Sequence, residues 1–169
     1  IGNKRALLDF IGEGVREVQK RLGRSQLSCL DVFAGSGIVS RYLKQYASSL
    51  TVNDLEKYSC IINRCYLSNK SEINIEEHQK LHSSLCKKID SKMALLEKSE
   101  KGFKNAGFIS ELYAPSDEEK IEKGERCFYT PYNAAYLDLA RQLIEKEVAP
   151  ELRDFFIAPL LSEASIHAN

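Results

Sequence analysis

The side chains best suited to chemistry are concentrated in one stretch. Asp31-Val-Phe-Ala-Gly-Ser-Gly37 sets a carboxylate ahead of a Gly-x-Gly turn, and a second carboxylate, Asp54 of Asn53-Asp54, follows 23 residues after Asp31. Gly35 and Gly37 lack Cβ, so the backbone there can take the dihedrals of a tight turn and come close to a ligand. A carboxylate about 20 residues beyond such a turn, at the end of the next strand, can accept hydrogen bonds from both hydroxyls of a ribose. Asp31, at the carboxyl end of its own strand, offers negative charge to a cation. Together these features describe a site for a nucleoside with a cationic amino-acid tail. S-adenosylmethionine fits: Asp54 takes the ribose, and Asp31 the amino group of the methionine moiety, directly or through water.

Competing chemistries fit less well. Gly35-Ser-Gly37 followed by Ser40 imitates the Gly-x-Gly-x-x-Gly of nicotinamide-binding folds, but Ser40 stands where the third glycine belongs and Asp31 would repel a pyrophosphate. No Gly-Lys-Ser/Thr occurs, so a phosphate-binding P-loop is absent. His78 and His82 are four residues apart, yet no third ligand is in register, and they read as exposed polar positions. Cys29, Cys60, Cys65, Cys86 and Cys127 show neither Cys-x-x-Cys spacing nor matching His partners, which suggests neither a zinc site nor a disulfide framework, and they read as reduced thiols, mostly in the core. Lys87, Lys88, Lys92, Lys98, Lys101 and Lys104 are able to meet phosphates, but a solvated helix face is the better account of them.

The elements that must position the carboxylates follow from hydrophobic periodicity. Leu7, Leu8, Ile11, Val15, Val18 and Leu22 share one face of a helix from about Lys4 to Leu22, ended near Gly23. Leu27 to Phe33 is a short apolar run suited to a buried parallel strand. A helix over Ile38 to Tyr46, a strand over Leu50 to Val52 and a helix over Tyr58 to Leu67 complete a βαβ unit and its continuation. Beyond residue 70 the pattern is helical. Leu81, Leu85, Ile89, Met93 and Leu96 stripe a helix from Ile75 to about Glu100, closed by Gly102. Residues 101–131 read as a long irregular connection and the place of any insertion. A helix runs from an Asn133 N-cap to about Val148, and one or two short helices lie around Pro159. The division expected is 1–70 for cofactor binding and 71–169 for a helical segment and long loop.

Composition bounds the function. The chain has 169 residues, 43% hydrophobic and 28% charged, which suits a soluble globular domain and excludes wholesale disorder. No apolar run reaches the roughly 20 residues of a membrane span, and no secretory signal opens the chain, so it reads as cytoplasmic. Net charge is zero, but residues 1–70 carry eleven basic against six acidic side chains, a surplus that reads first as uneven solvated surface charge and that would also suit a polyanion beside the cofactor site.

Three blocks, in order, resemble the Dam-like, or D12 class, DNA N6-adenine methyltransferases. Ile1-Gly-Asn-Lys-Arg5 is similar to the family's motif X, Asp31 to Gly37 to motif I, and Val52-Asn-Asp-Leu-Glu56 to motif II. The resemblance implies that Gly2, Asn3 and Lys4 close over the cofactor while Asp31, Phe33, Ala34, Gly35, Gly37 and Asp54 line its pocket. It also implies a partial α/β, Rossmann-like class I S-adenosylmethionine-dependent methyltransferase fold with a helical insertion, and residues 71–169 are expected to hold part of a target-recognition region. The expected activity is site-specific methylation of adenine N6 in double-stranded DNA, as in restriction-modification, with direct attack by the amine. The family's catalytic Asp/Asn-Pro-Pro-Tyr/Phe, which grips a flipped base, has no counterpart. Thr130-Pro-Tyr-Asn133 has one proline and no acid or amide in first place, and reads as a turn opening the next helix. The expectation is therefore an amino-terminal fragment with no catalytic residue and no metal, binding cofactor weakly or not at all. Two alternatives stay open: a methyltransferase acting on RNA, protein or a small molecule, and a non-catalytic binding module of the same fold.

Overall fold

The computed structural model describes residues 4–99 and 102–166. They are mostly helical, with one two-stranded parallel sheet. The chain forms two compact units, residues 1–72 and 73–169.

In the first unit a 3-10 turn over Lys4–Leu7 leads into helix α1, Leu8–Leu22. Gly23 ends α1 in the left-handed conformation, φ 62°, its N–H returning to the Gln19 and Lys20 carbonyls. Strand β1 is Leu27–Asp31, helix α2 is Ile38–Leu43 with a 3-10 extension to Tyr46, and strand β2 is Ala47–Val52. Helix α3, Lys57–Leu67, follows. The strands pair in parallel, Asp31 opposite Val52, so the two strand ends that carry Asp31 and Asn53-Asp54 lie side by side. Helix α2 packs on both strands and on α3.

Two expectations for β1 need correction. It stops at Asp31 rather than Phe33, and it is not buried throughout: Leu27 and Cys29 are half-covered, whereas Leu30 is 60% exposed. The reason is that α2 covers one face of a sheet of only two strands, and the alternation of side chains puts Leu30 on the other face.

The second unit is built on helix α4, Ile75–Glu97, capped by the Asn74 side chain, which accepts the Glu77 N–H. Leu85, Ile89 and Met93 are its buried stripe. They pack against helix α6, Pro131–Glu147, whose Ala135, Leu139, Ala140, Leu143 and Ile144 complete the core. Helix α7, Arg153–Ile166, packs on this core through Phe156, Ile157 and Leu160, and its Ala158 is buried.

Residues 101–131 are not wholly irregular. Gly102–Asn105 form a 3-10 turn and Phe108–Tyr113 form helix α5. The α5 N-terminus is satisfied from across the unit: Asp138 of α6 accepts the Ile109 N–H at 3.0 Å, and the Ser110 N–H and hydroxyl at 2.7 Å each. Gly102 opens this segment instead of closing α4. The N-cap of α6 is Thr130, whose hydroxyl accepts the Asn133 N–H at 3.1 Å with Pro131 in the first turn, so Asn133 is inside the helix. Pro159 does not divide α7, because the packing of its neighbours on α6 outweighs one missing backbone hydrogen bond.

Among the described residues, no helix is long and apolar enough to cross a membrane. The cysteines are half-buried (Cys29, Cys65, Cys86) or exposed (Cys60, Cys127), not core residues.

Candidate functional site

The turn after β1 is built by backbone geometry that needs glycine. Gly35 and Gly37 have φ of 54° and 73°, the left-handed region. The turn is stapled to the end of β2: the Asn53 N–H donates to the Asp31 carbonyl, the Ala34 N–H to the Asn53 carbonyl, and the Asn53 side-chain amide to the Val32 carbonyl.

Asp54 closes the arrangement. Its Oδ2 accepts the Gly35 N–H at 2.7 Å and its Oδ1 the Glu56 N–H at 2.9 Å. These bonds, Glu56 first and Gly35 second, hold its carboxyl below the ordinary 3.8, and the charge of Lys4 acts in the same direction. Each oxygen keeps a further lone pair for a ligand. The Lys4 ammonium donates to the Phe33 carbonyl at 2.8 Å, tying the start of the chain to the same turn. Around it Phe33 is 76% and Leu55 97% exposed, so apolar surface stands beside the Asp54 carboxylate.

A family model for D12 class N6 adenine-specific DNA methyltransferase matches residues 1–141. The chain belongs to this family. It is 29% identical over 175 residues to the type II methyltransferase M.CviAII of Paramecium bursaria Chlorella virus 1, covering all of this chain and 45% of that relative. It is 26% identical to the type II methyltransferase M.NlaIII of Neisseria lactamica, again over the whole chain and 46% of the relative. The modification methylase StsI of Streptococcus sanguinis is 28% identical over 86% of this chain and 20% of its own length. The chain thus spans a little under half the length of the first two relatives. No solved structure matches it.

In this D12 family member the structure brings Lys4, Phe33, Ala34, Gly35, Gly37 and Asp54 together at one turn. Asp31 lies beneath it, buried, with Oδ2 accepting the Ser40 hydroxyl at 2.6 Å. Gly2 and Asn3 lie outside the described residues.

Three residues of this neighbourhood escape a reading of the motifs. Ser40, which stands where a nicotinamide motif would have glycine, is wholly buried and orients Asp31. Ser59 and Asn63 of α3 are buried and bond to the turn. Their signal in the sequence is two small polar side chains four apart on a helix face next to Ile62.

Other candidates are accounted for differently. His78 is not an exposed polar position: its Nδ1 meets the Asn74 carbonyl at 2.7 Å and its ring stacks on Phe156 and meets Phe155 edge-on. His82 is exposed beside Cys86. Lys88 pairs with Glu147, Lys104 bonds Ser116, and Lys101 lies outside the described residues. A cavity of about 940 Å³ in the second unit, between α4, α6 and α7, is lined mainly by apolar and aromatic side chains such as Ile89, Tyr136 and Phe156. Among the described residues no group of three His, Cys, Asp or Glu could hold a metal.

Proposed function

We propose that the whole protein transfers a methyl group from S-adenosylmethionine to N6 of adenine at a specific sequence in double-stranded DNA, and that this chain supplies the donor's half of the site. The observation that carries the reading is the Asp54 carboxylate seated on the Gly35 N–H at the adjoining ends of two parallel strands. Open α/β sheets bind nucleosides at that end of the strands, where a carboxylate and a close-approach backbone meet. The β1–α2–β2 unit supports a Rossmann-like class I fold for the complete domain.

When bound, S-adenosylmethionine supplies a sulfonium methyl group for direct attack by the adenine amine. This chain binds and orients. Asp54, fixed by two backbone N–H groups, presents its free lone pairs to the ribose hydroxyls. Asp31 sets negative charge under the turn to favour the cationic amino-acid tail, and Gly35 and Gly37 keep side chains out of its path. Lys4 is held at the turn by its bond to the Phe33 carbonyl, a cofactor-contacting role for Gly2 and Asn3 is proposed from their place in the same motif, and Phe33 and Leu55 offer apolar surface to the adenine ring. We further propose that residues 71–169 hold part of the target-recognition region of a restriction-modification methylase, and that the enzyme is cytoplasmic.

Calorimetry of S-adenosylhomocysteine binding to the whole protein and to its Asp54→Ala variant tests the reading. The variant should bind about tenfold more weakly, the loss expected for charge-assisted hydrogen bonds to the ribose. Equal affinity in the two proteins contradicts the role of Asp54, and no affinity in either contradicts the cofactor site.

A further inference from the structure

We propose that Ser59 and Asn63 are positioning residues for the methyl donor, acting on Asp54 by fixing the backbone of Gly35. This rests on reading the turn as the S-adenosylmethionine site. The Gly35 carbonyl accepts the Ser59 hydroxyl at 2.6 Å and, more distantly, the Asn63 amide at 3.3 Å. That amide also donates to the Ser59 carbonyl at 2.8 Å and to the Ser59 hydroxyl oxygen at 3.1 Å. The Ser59 hydroxyl thus accepts from the Asn63 amide and gives its one proton to the Gly35 carbonyl. On the other side of Gly35, its N–H donates to Asp54 Oδ2 at 2.7 Å. Asn63 and Ser59 thus hold the peptide on one side of the Gly35 Cα, and the peptide on its other side holds the carboxylate that would take the ribose, so fixing Gly35 fixes the donor that Asp54 accepts from.

Both helix residues are buried, Ser59 at 0% and Asn63 at 5% exposure. Apolar residues of similar size would serve α3 packing without desolvating polar groups. Asn63 is costlier still, because its Oδ1 is buried with no hydrogen-bond partner. It faces Gly37, where an added Cβ would fall 2.3 Å from that oxygen. Two carbonyl acceptors fix the amide the other way round, so Oδ1 is held against Gly37 as the consequence of directing Nδ2 at Ser59 and Gly35. The arrangement gives up a satisfied oxygen to hold the two left-handed positions on either side of Ser36, Gly35 by hydrogen bonds and Gly37 by close approach, where the turn must stand in one place for a ligand.

A double-mutant cycle on S-adenosylhomocysteine binding to the whole protein separates positioning from general support of the fold. Ser59→Ala should weaken binding about fivefold in the wild-type background and less than about twofold in the Asp54→Ala background, because its effect passes through Asp54. Ser59→Thr, which keeps the hydroxyl, should recover most of the affinity. In methyl transfer the loss should appear in the KM for S-adenosylmethionine and leave kcat unchanged. Should Ser59→Ala fail to fold, Asn63→Ala enters the same cycle with an expected loss of about threefold. Undiminished affinity in the single variants, or an equal loss in both backgrounds, overturns the proposal while leaving the cofactor reading intact. If the wild type binds no S-adenosylhomocysteine, or Asp54→Ala changes nothing, the cofactor reading fails and this proposal with it.

Discussion

Asp54 and Gly35, 19 residues apart, are joined by a 2.7 Å hydrogen bond from backbone N–H to carboxylate. It connects the end of β2 to the left-handed turn that follows β1, so the strand ends and the turn move together. The Glu56 N–H on the other oxygen completes the clamp.

The same clamp sets a pH dependence. The folded Asp54 carboxyl lies below its ordinary 3.8, so its contribution is complete above that value and is lost as pH falls through the depressed folded value. Thermal unfolding of wild type and Asp54→Asn should differ by a constant amount from neutral pH down to about 4, and the difference should shrink only in stronger acid. A gap that closes between pH 7 and 5 would show another group at work.

Gly37 and Gly35 should respond differently to alanine. Both have positive φ, worth about 1 kcal/mol of strain for a side chain. Only at Gly37 would the Cβ also strike Asn63, at 2.3 Å, while nothing lies within 4 Å at Gly35. Urea unfolding should show Gly37→Ala destabilised by about 2–3 kcal/mol and Gly35→Ala by about 1. Equal losses would place Asn63 elsewhere.

In the second unit, Asp138 holds the start of α5 by three hydrogen bonds. Asp138→Ala leaves buried donors unsatisfied and should cost about 2–4 kcal/mol. Hydrogen exchange should show the Ile109 and Ser110 amides losing protection before those of α6. Protection retained at both amides argues against the cap.

The loop between α5 and α6 is held by Glu125, which accepts the Ser116 hydroxyl and the Ser116 and Glu122 N–H groups. These bonds, the Ser116 hydroxyl foremost, lower its carboxyl from 4.5 to about 2. Its contribution is thus present above 4.5 and lost between there and about 2. Limited proteolysis at neutral pH should cut Glu125→Gln within residues 114–130 several-fold faster than wild type, and equal rates would show that Glu125 does not order the loop.

What the sequence disclosed, and what it hid, follows from how local each interaction is. The Gly-x-Gly turn, the parallel pair around α2 and the stripe of Leu85, Ile89 and Met93 depend on neighbours in the chain, and periodicity with glycine placement reveals them. The α5 helix was hidden because its N-terminus is satisfied by Asp138, 28 residues from Ser110, and no local pattern announces such a cap. The expected Asn133 cap lies three residues inside α6, although Thr130-Pro131 is a recognisable helix start. The exposure of Leu30 depends on how many strands and layers surround β1. At the site, the acids and glycines were legible by type and spacing, whereas Ser40, Ser59 and Asn63 have roles only once α2 and α3 fold against the turn.

The central claim is best tested by methyl transfer itself. With S-adenosylmethionine labelled in its methyl group, the whole protein should label duplex DNA containing adenine within the recognised sequence, with the label recovered as N6-methyladenine, and should leave adenine-free duplexes unlabelled. Equal labelling of both duplexes, or label recovered on RNA or protein in place of adenine, contradicts the account.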